Sequence, residues 1–227
     1  HARHSVRALV EQWGFQSGVP HQDMENGHDF REGGLRATSW LHRRADVDYN
    51  GWWMCLIPTE VIRTIGLSLP VFIKWDDAEY GLRARAHGFP TVSLPGAAVW
   101  HVSWGDKDDL VGRPAYFHER NRSITALLYS LYERGGRVLR ESTYMDVKHL
   151  ISMQYYTEQG RILAMRDVLA GPDGLHGMIG TKLPEIRRLT QDFTDAQLMP
   201  GREAFPAHGA GAPRGTRRWV ARRGRRG

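Results

Sequence analysis

Hydrophobic and polar positions alternate in two regimes along this chain. Up to about residue 112, short apolar runs are separated by turn residues. Beyond it, apolar residues recur at helical spacing. The first clear apolar run, Trp52-Trp53-Met54-Cys55-Leu56-Ile57-Pro58, follows the turn signal Asn50-Gly51 and predicts a strand. Thr59 to Gly66 predicts a short helix with Thr59 as cap and Gly66 as stop. A second apolar run, Leu69-Pro70-Val71-Phe72-Ile73, leads into Trp75-Asp76-Asp77-Ala78-Glu79. Ala78, Leu82 and Ala86 then form one stripe, with Arg83, Arg85 and His87 off it, which predicts an amphipathic helix ending at Gly88. Val92 to Leu94 and Ala97 to His101 read as strands. This alternation indicates an α/β class.

From Arg113 onward, Tyr116, Arg120, Ile124, Leu127, Leu128 and Leu131 predict a helix up to Gly135-Gly136. A second long helix is expected from Thr143 to Ala170, with Gly160 as its candidate break, and a shorter one over 184–193. A short helix fits residues 4–13, and 14–50 read as a long ordered loop region interrupted by Gly18, Pro20, Gly27, Gly33 and Gly34. The chain is accordingly divided into an α/β part (1–112), a helical part (113–200) and an Arg/Gly-rich tail (201–227).

Charge changes this picture at the end. The formal net charge of +6 over 227 residues comes from the last part of the tail, residues 214–227, where Arg214, Arg217, Arg218, Arg222, Arg223, Arg225 and Arg226 stand with no acid. Without those seven, 24 basic residues face 25 acidic ones, so the body of the chain is near neutral. Residues 201–227 lose all periodicity, and their composition resembles an out-of-frame reading of GC-rich coding sequence. One continuous genomic frame through Gly201 would overturn that expectation. Nucleic-acid binding would rest on this tail alone, and no nucleic-acid partner is expected. A single cysteine, Cys55, excludes an internal disulfide framework and fits a reducing cytoplasm. No apolar run approaches the ~18–20 residues of a membrane span.

The acidic pair carries the candidate chemistry. Asp76 and Asp77 open a helix, where backbone N–H groups and the helix dipole hold a carboxylate in place. Two adjacent carboxylates point different ways, so one can orient an acceptor hydroxyl while the other deprotonates it. A plain capping pair is the bland alternative. His101 ends an apolar strand 24 positions after Asp77; it is either a hydrogen-bonded surface residue or a ligand in an oxygen-rich site for Mn²⁺ or Mg²⁺. His118, with Arg120 and Arg122 on the same predicted helix, either contacts a phosphate or belongs to a solvated face. The eight tryptophans are either core or a platform for sugar C–H faces. Asp46-Val47-Asp48 fits the loose Asp-x-Asp pattern of nucleotide-sugar enzymes, but it precedes the Trp52 run instead of following a buried strand. Asp106-Lys107-Asp108-Asp109 reads as a solvated loop.

Three segments together carry a resemblance: Asn50 through Pro58; Lys74-Trp75-Asp76-Asp77-Ala78-Glu79-Tyr80-Gly81-Leu82-Arg83; and Leu94-Pro95-Gly96-Ala97-Ala98-Val99-Trp100-His101. The chain resembles the polymerising UDP-galactofuranosyltransferases of the actinobacterial cell-wall galactan, which are inverting GT-A enzymes of glycosyltransferase family 2. The resemblance runs from near the start to about residue 200. It implies the C-terminal portion of a GT-A, Rossmann-like domain followed by a helical domain. It makes Asp77 the catalytic base, Asp76 its neighbour in the acceptor site, and Trp52, Trp53 and Trp104 acceptor-lining aromatics. It makes His101 a metal ligand and His118 a residue near the donor diphosphate. It further implies UDP-galactofuranose as donor, a lipid-linked galactan as acceptor, Mn²⁺ or Mg²⁺ as cofactor, a homo-oligomer at full length, and peripheral contact with the cytoplasmic face of the plasma membrane.

The chain departs from the family in one respect. The family's Asp-x-Asp metal motif, its uridine-binding strands and its N-terminal β-rich domain lie upstream of the first residue here, and its helical region continues beyond residue 200. The chain is therefore expected to be a fragment that does not transfer sugar alone. A different sugar donor within family 2 and a non-catalytic carbohydrate-binding fragment are the competing readings.

Overall fold

The computed structural model describes residues 34–37, 39–42, 45–94, 112–130, 132, 136–197 and 201. The elements named here lie in one compact unit that ends at Ala196. Among the described residues, strand is limited to β1 (Ala45–Val47) and β2 (Thr91–Ser93), paired antiparallel with Asp46 opposite Val92. The rest is mostly helix: α1 (Thr59–Ile65), α2 (Asp76–Ala86), α3 (Arg113–Tyr129), α4 (Val138–Ile151), α5 (Tyr155–Leu169) and α6 (Leu175–Leu189). The described part of the α/β class is thus helices with a small sheet.

The core sits where α3, α5 and α6 meet. Tyr116, Phe117, Tyr156, Ala164 and Ile186 form its buried centre, with Leu163, Leu183, Leu189 and Phe193 packed around them. A smaller cluster of Val61, Tyr80 and Ala84 joins α1 to α2. Arg83 ties these two helices further, donating to the carbonyls of Ile65 and Leu67 at 2.8 and 2.9 Å.

Several expected elements differ from those observed. Trp52 to Pro58 is not a strand but a turn followed by an open loop, with Met54, Cys55 and Leu56 exposed. An apolar run alone does not make a strand when no neighbour offers a ladder. Helix α1 begins where expected, but Pro58 occupies the cap position and no side chain caps it. The predicted helix over 143–170 is two helices, and the break falls at Ser152–Gln154, where Met153 takes φ 56°. Gly160 instead lies inside α5, close against Tyr116. The last helix starts at Leu175 rather than 184 and accommodates Pro184 internally.

The face of α3 that packs is only partly the one the apolar spacing predicts: Tyr116 and Arg120 of the expected stripe are buried, but its later leucines are not. Leu127 and Leu128 are exposed, whereas Glu119, Arg120, Asn121 and Arg122 are buried. Burial of charge is stable here because each group has partners. Arg161 of α5 meets Glu119 at 2.6 Å and Asp146 at 2.7 Å, and Ser142 donates to the other Glu119 oxygen at 2.5 Å. Arg122 pairs with Glu141. The solvated-face reading of Arg120 and Arg122 is therefore overturned.

The helix expected over 4–13, most of the 14–50 loop, the strand over 97–101 and nearly all of the 201–227 tail lie outside the described residues.

Candidate active site

The acidic pair is presented by a turn that the local sequence does not favour. Between Val71 and Asp76 the backbone takes left-handed conformations at three non-glycine residues: Phe72 (φ 71°), Lys74 (φ 70°) and Trp75 (φ 65°). Each costs roughly 1 kcal/mol or more against the right-handed alternative. Trp75 is the residue from which α2 departs, and its carbonyl accepts the Glu79 N–H at 2.9 Å. Asp76 and Asp77 are consequently the first two helical residues. No side chain caps the helix, but the Asp77 Oδ1 accepts the Ala78 N–H at 2.8 Å.

Around Asp77 the loop after β1 closes in. The Trp52 backbone N–H also supports the carboxylate, and Tyr49 and Cys55 lie close enough to feel its charge. Burial, then the neighbouring Asp76, raise the Asp77 pKa from 3.8 to about 6, against the lowering effect of these backbone hydrogen bonds. Asp76 is raised less, also chiefly by burial, with nearby Lys74 among the groups that restrain the rise. The Tyr49 hydroxyl and the Cys55 thiol are both pushed up by burial and then by Asp77. The fit is close because Gly81 of α2 has no side chain: a Cβ there would stand 2.3 Å from the Cβ of Tyr49.

The tryptophans line the open side. Trp52 is 37% and Trp53 40% exposed. The Trp52 ring meets Tyr80 edge-on at 5.6 Å, while the Trp53 ring lies over Gly51, at which any Cβ would collide with it at 2.5 Å. His118 is brought to the same region from α3, its ring meeting Trp75 edge-on at 5.4 Å. Burial first, then the charge of Arg122, lower its pKa from 6.5 to about 4, so it is neutral at pH 7.

Trp52 thus reaches Asp77 through its backbone N–H, and His118 reaches the turn before Asp76 through Trp75, while Trp53 lies over Gly51. His101 and Trp104 lie outside the described residues, as does Asp106 to Asp109. Asp48 is buried and paired with Arg85. Among the described residues no three His, Cys, Asp or Glu side chains converge to hold a metal ion. The sequence reading missed Asn121 as a member of this region. Its only signal was a polar residue between two arginines on an otherwise mixed helix, which does not distinguish a buried amide from an exposed one.

A carboxyl raised toward neutrality can take a proton from a hydroxyl group. Residues 24–127 match the family described as "Glycosyltransferase like family 2", and residues 138–223 match "Galactofuranosyltransferase-2, domain 3", a match that continues into the Arg-rich segment. Over 187 residues, 80% of its length, the chain is 45% identical to galactofuranosyltransferase GlfT2 of Mycolicibacterium smegmatis and covers 29% of that protein. Over 194 residues, 83% of its length, it is 42% identical to galactofuranosyltransferase GlfT2 of Mycobacterium tuberculosis and covers 30% of it. The chain therefore belongs to the galactofuranosyltransferases among the family 2 glycosyltransferases, and it spans about 30% of the length of these relatives. Among the described residues no helix is long and apolar enough to cross a membrane.

Proposed function

We propose that this chain is the acceptor-activating part of an inverting galactofuranosyltransferase. The donor is UDP-galactofuranose, and the acceptor is a growing lipid-linked galactan. The observation that carries this reading is Asp77, a carboxyl raised to about 6 that accepts backbone N–H groups including those of Ala78 and Trp52, with Trp52 and Trp53 half-exposed. At pH 7 such a group is ionised yet basic enough to accept a proton from a sugar hydroxyl. Its role is to take that proton as the hydroxyl oxygen attacks the anomeric carbon on the face opposite the departing UDP. Asp76, one residue earlier and held nearer its ordinary range by Lys74 and backbone N–H groups, orients the acceptor by hydrogen bonding. Trp52, Trp53 and, outside the described residues, Trp104 pack on sugar faces. His118, neutral at pH 7, offers the donor diphosphate a hydrogen bond rather than a charge.

A divalent cation, Mn²⁺ or Mg²⁺, belongs to this reading, with His101 as one ligand; when bound it offsets charge on the diphosphate. The described residues do not by themselves hold such an ion. The division at 112/113 into an acceptor-side catalytic part and a helical part, peripheral contact with the cytoplasmic membrane face, and homo-oligomerisation at full length complete the proposal.

The test is Asp77→Asn placed in a full-length transferase that contains this segment. Transfer of galactofuranose from UDP-galactofuranose should fall by roughly 10²–10⁴-fold. Retention of normal turnover would remove Asp77 as the base. The isolated 227-residue chain should show no transfer.

A further inference from the structure

The segment that presents the acidic pair is gripped from α3. Asn121 is fully buried and gives its amide to three carbonyls of that segment: Val71 at 2.9 Å, Ile73 at 2.9 Å and Lys74 at 2.8 Å. Arg120, 1% exposed, donates to the Val71 carbonyl at 2.7 Å and fixes the Asn121 amide by donating from Nε to its oxygen at 2.8 Å. One turn earlier, Phe117 meets the ring of Phe72 at 5.3 Å and His118 meets Trp75. Phe117, His118, Arg120 and Asn121 thus hold the segment from little more than one turn of α3.

This grip answers a specific problem. Positive φ at Phe72, Lys74 and Trp75 keeps this segment out of a regular ladder, so the carbonyls of Val71, Ile73 and Lys74 need partners from elsewhere. Nothing in Phe72, Lys74 or Trp75 favours that conformation locally, so it persists only if the surroundings over-determine it. An amide with two N–H bonds, oriented by a guanidinium, is suited to collecting converging carbonyls. The arginine carries its charge into the interior because Asn121, Val71 and the Tyr116 ring and hydroxyl receive it.

We propose that Arg120 and Asn121 are positioning residues, which act from α3 through the Val71–Trp75 backbone to set Asp76 and Asp77 at the first turn of α2. Neither touches the carboxylates. Releasing the segment lets Trp75 leave its left-handed conformation, frays the start of α2 and admits water to Asp77. The catalytic consequence rests on the reading of Asp77 as the base, whereas the positioning itself does not.

The two are separated by titrating Asp77 directly. In the 227-residue chain with ¹³C-labelled aspartate, the Asp77 carboxyl signal is assigned by its absence in Asp77→Asn. Asn121→Ala should lower its midpoint from about 6 toward the ordinary 3.8, by roughly one unit or more, and shift the amide resonances of residues 72–76. Arg120→Lys keeps the charge but loses the fork; it should move the midpoint the same way by less, and it serves if Asn121→Ala does not fold. A variant with native far-UV circular dichroism and an unmoved Asp77 midpoint would overturn the proposal. Because no sugar enters this measurement, it is decided independently of whether Asp77→Asn abolishes transfer.

Discussion

Replacing Asp77 with Asn should stabilise the chain at neutral pH and not at acid pH. A carboxyl whose folded pKa stands above its unfolded value holds its proton more tightly in the folded state, so ionisation works against folding. That contribution is fully favourable below pH 3.8 and is lost as pH rises through about 6. The shift of roughly two units corresponds to about 3 kcal/mol at most, and partial exposure to solvent reduces it to about 1–3 kcal/mol. An asparagine oxygen can still accept the Ala78 N–H; the anionic acceptor of the Trp52 N–H exists only at pH 7, because at pH 4 the parent carboxyl is protonated, and its effect is already contained in the raised pKa. The quantity to measure is therefore the difference between two differences. Thermal or urea unfolding of parent and variant is compared at pH 4 and pH 7, and the variant's relative stability should be higher at pH 7 by about 1–3 kcal/mol. In a chain of this size each kcal/mol corresponds to about 2–4 °C in Tm. The same relative stability at both pH values would refute the assignment of a raised pKa to Asp77, and with it the burial argument for the site.

Other perturbations test neighbouring parts of the structure. His118 opposes Asp77 in the same window: its folded pKa is lowered from 6.5 to about 4, so its contribution is present above pH 6.5 and lost as pH falls to about 4. His118→Asn should gain relative stability on going from pH 7 to pH 4 in the same unfolding assay, and no such gain would mean that the imidazole is not buried neutral. Gly81→Ala drives a methyl to 2.9 Å from the Tyr49 Cα as well as onto its Cβ, and it should lower stability by about 2 kcal/mol or more in urea titrations. An unchanged midpoint would show that the loop after β1 does not pack on α2. Arg161→Met leaves Glu119 buried without its cation and should cost about 3–5 kcal/mol, part of which Glu119→Gln in the same chain restores. A Met variant of native stability would show that the α3–α5 charge network is dispensable.

Much of the site was legible because its signals are local. Asp76-Asp77 opening a helix, Gly88 ending it, and the tryptophans before it all follow from neighbouring residue types, and α2 forms within two residues of its expected end. Reading failed where long-range contacts decide. Trp52 to Pro58 looked like a strand because its residues are apolar, but they form an open loop whose first residue gives its N–H to Asp77. Leu127 and Leu128 looked like core because they are leucines. The core side of α3 holds Tyr116 and Phe117 together with Glu119, Arg120 and Asn121, and the partners of these polar groups come from Val71, Ser142 and Arg161. Gly160 looked like a break, but its missing side chain serves close packing against Tyr116, and the chain turns at Met153 instead.

The sequence by itself determined which groups are available: a carboxylate pair at a helix start, indole rings upstream and an imidazole downstream, in an order specific enough to suggest a sugar transferase. Only the tertiary structure decided how they are tuned. The Asp77 pKa rises because the folded chain buries it beside Asp76, more than the backbone N–H of Trp52 and Ala78 lower it. His118 is neutral because burial and Arg122 disfavour its charge. The left-handed turn before α2 holds because an amide 50 residues away accepts the task of binding its carbonyls. Burial and hydrogen-bond partners are properties of the assembled chain, and no spacing along the sequence encodes them.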